Sequence, residues 1–344
     1  MKILDDTKLD FSDVLILPQP NEYTSRKNVS LQRTLNFKYG SFVWTGTPIM
    51  VSNMDTTGTI EMALALQSYD VITVLHKYYK AMDIPQELNT NNFAVSCGMS
   101  PDDLSNLHNI MIERPDIKFI CMDVANGYMQ KFVETCAEVR KNYPDKVIIA
   151  GNVCTSEGVM NLVMNGKVDI VKVGIGSGSC CTTRKKTGIG MPQLSAVIEC
   201  ANTAHGLGAH IISDGGLQVV GDFSKAFGAG ADFVMSGSMF AAHYESGGII
   251  IEENGKVYKV FYGMSSKEAM EKYSNGVASY RSSEGKAVKL DYRGEVKNTI
   301  QDILGGIRSC MTYIGAKKLK DIPKCTTFVR VNRQLNTIYN NVEI

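Results

Sequence analysis

The sequence predicts an α/β fold, a (β/α)8 TIM barrel, on three observations. Eight short apolar runs recur along the chain, and stretches with apolar residues at helical intervals lie between them. The runs are nearly continuous in hydrophobicity, as in a parallel sheet covered on both faces. A chain of 344 residues also has room for the roughly 250 residues of such a barrel and for insertions. One barrel domain over residues 1–344 is therefore expected.

In chain order the eight runs are PIMVSN (48–53), VITVL (71–75), FAVSCG (93–98), FICMDV (119–124), VIIAGNV (147–153), DIVKVGIG (169–176), HIISDGG (210–216) and DFVMSG (232–237). Their starts fall about 22 to 28 residues apart except across one longer gap, and eight such units favour a closed barrel over an open sheet. Between them IEMALALQSYD (60–70), QKFVETCAEVRKNYP (130–144) and MPQLSAVIECANTAHG (191–206) read as helices of the outer ring. Two segments break the rhythm, 174–190 after the sixth strand and 244–300 after the eighth. Extra length in a barrel usually sits on the C-terminal face, where chemistry is done. In the second segment GGIIIEENGKVYKVFYG (247–263) alternates around an Asn-Gly pair and predicts a hairpin. The polar KYSNGVASYRSSEGKAVKL (272–290) predicts a flap, and NTIQDILGGIRSCMTYIG (298–315) a final helix.

Composition excludes several classes of function. Lys and Arg total 36 against 35 Asp and Glu, so no net field draws nucleic acid or an anionic membrane. No apolar stretch approaches the roughly 18 residues of a membrane span. The start, MKILDDTKLDF, is acidic where a secretion signal is basic, so a cytoplasmic protein is expected. Nine irregularly spaced cysteines suggest free thiols, and five scattered histidines make a zinc site improbable.

The segment GIGSGSCCTTRKKTGIG (174–190) carries glycines at Gly174, Gly176, Gly178, Gly188 and Gly190 with hydroxyls and two thiols between them. Glycines let backbone approach a ligand and aim amides at anions or carbonyls at cations. A nucleophilic thiol needs access and a lowered pKa, and loop amides assist the second. Residue type alone does not separate Cys180 from Cys181. The other seven cysteines lie mostly in apolar strands or helices, as small buried hydrophobes do. SDGG (213–216) and SGSM (236–239) follow the seventh and eighth strands, the usual phosphate side of this fold. Asp214 would repel a phosphate but could accept from a ribose diol, so a nucleotide suits this face. Arg281, Glu284 and Lys286 in the flap, and Lys77 and Asp123 at the rim, are charges whose bland reading is solvation or ion pairing.

Taken in order, LDFSDVLILP, SNMDTTGT, HKYY, DVANGY, AGNV, VKVGIGSGSCCTTRKKTGIGMPQLSAVIECA, SDGG, KAFGAGADFVM, FYGMSS, SEGKAVKL and DILGGIRSCMTYIGAKKLK resemble the GMP reductases over nearly the whole chain. The cysteine loop and SDGG are shared with the IMP dehydrogenases. TTRKKTG, DVANGY and the short route from GMSS to SEG resemble the reductase branch, and the chain lacks room for the regulatory insert most dehydrogenases carry. The resemblance implies Cys181 as nucleophile on C2 of GMP, with NADPH giving hydride to yield IMP, and Thr183 with Glu284 as the proton relay that expels ammonia. It implies contacts to the substrate from Ser179, Asp214, Gly215, Gly216, Gly237, Ser238, Gly263, Met264, Ser265, Arg281, Ser282, Ser283 and Gly285. It implies dinucleotide contacts from Lys77, Asp123, Val124, Ala125 and Asn126, with Ser25, Arg26, Ser309 and Thr312 contributed across a subunit boundary of a homotetramer. Carbonyls of Gly176, Gly178 and Cys181 resemble the family's potassium site. Three positions depart from the pattern: Ser177 for a proline, Cys180 for an aliphatic residue and Ser238 for a glycine. The rival readings are an IMP dehydrogenase, whose Arg-Tyr flap motif is not evident, and an inactive nucleotide-binding regulator, which would have no use for Cys181, Thr183 and Glu284 together.

Overall fold

Residues 3–274 and 282–332 are described by a computed structural model. Three short strands, β1 (Val14–Ile16), β2 (Arg33–Asn36) and β3 (Val43–Gly46), precede the repeating part of the chain. Eight strands then close into an all-parallel barrel: β4 (Ile49–Val51), β5 (Ile72–Leu75), β6 (Phe93–Cys97), β7 (Phe119–Asp123), β8 (Val147–Val153), β9 (Ile170–Val173), β10 (His210–Asp214) and β11 (Phe233–Ser236). Each apolar run singled out in the sequence supplies one of them. Outside lie α1 (Ile60–Leu66), α2 (Pro101–Glu113), α3 (Gln130–Asn142), α4 (Ser156–Met164), the short α5 (Thr183–Thr187), α6 (Gln193–Gly206) and α7 (Gly221–Gly228). Several start where a hydroxyl can satisfy a free amide: Thr59 accepts from Met62, Ser100 from Asp103 ahead of Pro101, and Thr155 from Gly158. Between β5 and β6 there is only a 3-10 turn, Ala81–Asp83, where a helix would complete the alternation.

After the barrel come β12 (Ile250–Glu253), β13 (Lys256–Tyr262), α8 (Lys267–Ser274), β14 (Ala287–Asp291), α9 (Val296–Ile314), α10 (Ile322–Cys325) and β15 (Phe328–Arg330). The expected hairpin is β12 and β13, turned by Asn254 and Gly255 at φ 52° and 73°, the left-handed pair of a type I′ turn. The segment expected to be flap is not loop throughout. Its start finishes α8, and its end is β14, which pairs with β13 as a third strand. Strand β15 pairs antiparallel with β1. Among the described residues no helix is long and apolar enough to cross a membrane.

Alternate residues of a barrel strand point inward, and here the inward positions change character along the axis. Near the strand starts they are apolar: Phe119, Ile170, Ile212 and Phe233 form an inner core, capped by Leu35 and Trp44 of the β2–β3 hairpin. The Trp44 and Phe233 rings lie 5.0 Å apart. Two or four residues further along the same strands, the inward positions are Asp123, Lys172 and Asp214. Polar groups are thereby gathered at the C-terminal ends, above a closed apolar floor.

Candidate active site

A cavity of about 270 Å³ opens at that end of the barrel. It draws on the turns after β4, β7, β9, β10 and β11, and on the segments around Gly263 and Glu284. Of the residues singled out in the sequence, Asp123, Val124, Ala125, Gly176, Gly178, Ser179, Cys181, Thr183, Asp214, Gly215, Gly216, Gly237, Ser238, Gly263, Met264, Ser265, Glu284 and Gly285 line it together. Two glycines make the close passage possible. A Cβ on Gly174, at φ +148°, would stand 2.1 Å from the Asp214 carbonyl oxygen, and one on Gly215, at φ +91°, 2.7 Å from the Ser177 hydroxyl.

The two thiols are separated by packing. Cys180 is buried in a small cluster with Ala241 and Phe261, and this burial pushes its thiol pKa up. Cys181 is half-buried on the cavity wall, and its thiol donates to Thr183 Oγ1 at 3.2 Å. The Thr183 hydroxyl in turn donates to Glu284 Oε2 at 2.7 Å, across 101 positions of sequence. That meeting is fixed by backbone. Cys181 and Gly285 form an antiparallel bridge, the Thr182 amide donates to the Glu284 carbonyl at 2.8 Å, and the Lys286 amide donates to the Cys180 carbonyl at 2.9 Å. A thiol, a hydroxyl and a carboxylate in hydrogen-bonded series form a path along which a proton can pass.

Also lining the cavity, on β9, Lys172 Nζ lies 2.6 Å from Asp123 Oδ1 and 2.9 Å from Asp214 Oδ2. Burial alone would favour a neutral lysine, but the two carboxylates outweigh it and raise its pKa. Asp123 is likewise held below the usual carboxylate range, since Lys172 overcomes its desolvation. Asn53 Nδ2 donates to Asp123 Oδ2 at 3.0 Å, and Asn152 Nδ2 donates to Asp214 Oδ2 at 2.9 Å and to the Gly174 carbonyl at 2.7 Å. Asn152 lines the cavity, and its Oδ1 is buried without a hydrogen-bond partner. Lys172, Asn152 and Asn53 were not foreseen from sequence. For Lys172 the available signal was the inward period of β9, in which it is the sole charge.

Other expected residues lie elsewhere. Ser283 donates to the carbonyls of Ser265 and Gly285, 3.4 and 3.1 Å away, beside the cavity, and Ser282 is exposed. Lys77 pairs with Asp103 at 3.0 Å, and Asn126 accepts from the Tyr128 amide to shape its own turn. Ser25 caps the 3-10 turn Arg26–Asn28, which packs against α9, the helix bearing Ser309 and Thr312. None of these four residues lines the cavity. Arg281 lies outside the described residues. The three departures also have physical settings. Ser177 donates its hydroxyl to the Asp214 carbonyl at 3.3 Å, tying the loop to β10, and its own carbonyl accepts from the Gly216 amide at 3.1 Å. Cys180 fills the place of an aliphatic side chain, and the Ser238 carbonyl accepts from Arg293 at 3.1 Å.

Residues 8–336 match the family model described as IMP dehydrogenase / GMP reductase domain. The chain belongs to this family. Among curated relatives, the GMP reductase of Caenorhabditis elegans is 52% identical over 349 residues, covering 100% of this chain and 97% of the relative. GMP reductase 2 of Mus musculus is 53% identical over 98% of each chain. The GMP reductase of Salmonella arizonae is 52% identical over 99% of this chain and 100% of its own. The cavity lies on the face where barrels of this kind carry out their chemistry.

Proposed function

We propose that the protein converts GMP to IMP and ammonia with NADPH as reductant, in purine nucleotide salvage. The observation that carries this reading is the hydrogen-bonded series Cys181, Thr183, Glu284 on the cavity wall, which simple binding would not need. In this reading the Cys181 sulfur adds to C2 of GMP after giving up its proton along the series. The Thr183–Glu284 pair returns a proton to the 2-amino group, the C2–N bond breaks, and ammonia leaves a thioimidate on Cys181. When bound, reduced nicotinamide supplies the hydride that C2 accepts. The C2–S bond then breaks, which restores the thiolate and yields IMP.

Asp214 is read as acceptor for the ribose diol. Gly215 and Gly216, with Ser179, Gly237 and Ser238, are read as the phosphate side of the cavity, with Gly263, Met264, Ser265, Ser282, Ser283 and Gly285 as contacts to the nucleotide and Arg281, outside the described residues, as a further contact. Asp123, Val124 and Ala125 line the cavity, which supports a second ligand there, where Asn126 and Lys77 with them would hold the dinucleotide. Ser25, Arg26, Ser309 and Thr312, none of which lines the cavity, suit a neighbour's dinucleotide in a homotetramer. Carbonyls of Gly176, Gly178 and Cys181 fit potassium by donor chemistry, as neutral oxygens of one tight loop. The nine cysteines form no disulfide, which suits a reducing, cytoplasmic setting, and the same reading treats the chain as one catalytic domain.

Purified protein given GMP and NADPH should lose absorbance at the reduced nicotinamide band and release one ammonia per NADPH oxidised. With IMP and NAD it should form little XMP. Rapid XMP formation with no ammonia from GMP would overturn the reading in favour of a dehydrogenase. GMP binding without NADPH consumption would leave a nucleotide-binding regulator.

A further inference from the structure

The ammonium of Lys172 has no part in the proton path, yet it is the most enclosed charge at the cavity, its side chain 5% exposed. It stands on β9 two positions beyond the apolar Ile170, and its two partners stand at inward positions of β7 and β10. Asn152, on the intervening β8, also donates to Asp214. The side-chain donors to Asp214, Lys172 and Asn152, fall on Oδ2, so Oδ1 is the oxygen left for a ligand hydroxyl. A lone ammonium in an apolar strand is expensive unless paired, and two carboxylates drawn toward one point repel strongly if the cation is removed. Neither Asp123 nor Asp214 can shift without changing the field on the other. Cys121 on β7 and Lys77 at the rim are the other titratable groups acting on this cluster.

We propose that Lys172 is a positioning residue that couples the two ligand sites, holding Asp214 for the ribose of the purine nucleotide and Asp123 for the dinucleotide in a single geometry. The inference rests on the function proposed above. It makes the nucleotide site sensitive to Asp123, a side chain on the other ligand's side of the cavity. Lys172 touches neither reacting atom and acts only through the carboxylates it holds.

The test is a double-mutant cycle read by calorimetric binding of GMP with no dinucleotide present. In the otherwise unaltered protein, Asp123→Asn leaves Lys172 to Asp214 alone, which draws that carboxylate away from the ligand, and should weaken GMP by about threefold or more. In a Lys172→Met background the same Asp123→Asn change removes a repulsive neighbour and should tighten GMP by a similar factor. This reversal of sign is expected only if Lys172 couples the carboxylates. An effect of Asp123→Asn equal in the two backgrounds, zero included, would overturn the proposal, because a merely space-filling lysine leaves the aspartate's influence unchanged. If Lys172→Met does not yield folded protein by circular dichroism, Lys172→Gln takes its place in the cycle. The first arm stands in either case, since an unchanged GMP affinity in Asp123→Asn alone already refutes the coupling. Unaltered protein that binds no GMP would instead sink the functional reading on which the coupling rests.

Discussion

Two thiols stand side by side in the loop after β9, and packing gives them different chemical prospects. Both line the cavity, but Cys180 is buried with Ala241 and Phe261 and its pKa is pushed up by burial, whereas Cys181 is half-buried and its thiol meets Thr183 at 3.2 Å. Cys181→Ala should abolish GMP-dependent NADPH oxidation, and Cys180→Ala should retain most of it in a steady-state assay. The opposite pattern would move the nucleophile to Cys180. Residue type could not make this choice, because it depends on which way each side chain leaves the turn closed by the Cys181 amide on the Gly178 carbonyl. The same limit hid Asn152, whose bond to Asp214 exists only once β8 and β10 stand on either side of β9. Glycines and hydroxyls of the loop were legible, since few other roles demand so many of them after a strand.

At the scale of elements, the eight barrel strands were legible because each is buried on both faces and so reads as an unbroken apolar run. The β2–β3 hairpin was not, since its inward residues Leu35 and Trp44 acquire meaning only against the barrel floor. β14 was read as flap because its side chains are half-exposed on a sheet apart from the barrel. One buried carboxylate shows how the elements are locked together. Asp169, just before β9, accepts amides from Tyr39, Gly40 and Ile148 at 2.7, 3.0 and 2.9 Å and pairs with Arg140 of α3. It thus joins the loop after β2, strand β8 and helix α3. Asp169→Ala leaves Arg140 buried without its counter-charge and three amides without acceptors. It should lower unfolding stability by about 3–5 kcal/mol, measured by urea titration. A loss below about 1 kcal/mol would mean that the hairpin and α3 are held by apolar packing alone.

For the whole molecule, the end of the barrel opposite the cavity carries its own charge cluster. Buried Asp232 accepts from Arg33 at 3.1 Å and from His205 at 2.8 Å, while His210 Nδ1 lies 3.3 Å from it. Burial disfavours the imidazolium of His210, but Asp232 outweighs it and raises the pKa above the usual 6.5. Burial raises the pKa of Asp232, but His205 and His210 outweigh it and hold the carboxyl below the usual 3.8. The contribution of His210 is complete below pH 6.5 and is lost as pH rises through its raised value. That of Asp232 is complete above pH 3.8 and is lost as pH falls through its lowered value. The Tm advantage of the unaltered protein over His210→Gln should therefore be largest at about pH 5–6 and shrink toward pH 9. A gap that does not vary with pH would show that His210 carries no charge in the fold. At the cavity end, the antiparallel bridge between Cys181 and Gly285 acts as a ruler for the molecule. One residue inserted on either side of it would slide thiol past carboxylate by about 3.3 Å, one strand step, more than the 2.7 Å that joins Thr183 to Glu284. Natural changes of length in proteins built this way should accordingly spare both flanks of the bridge.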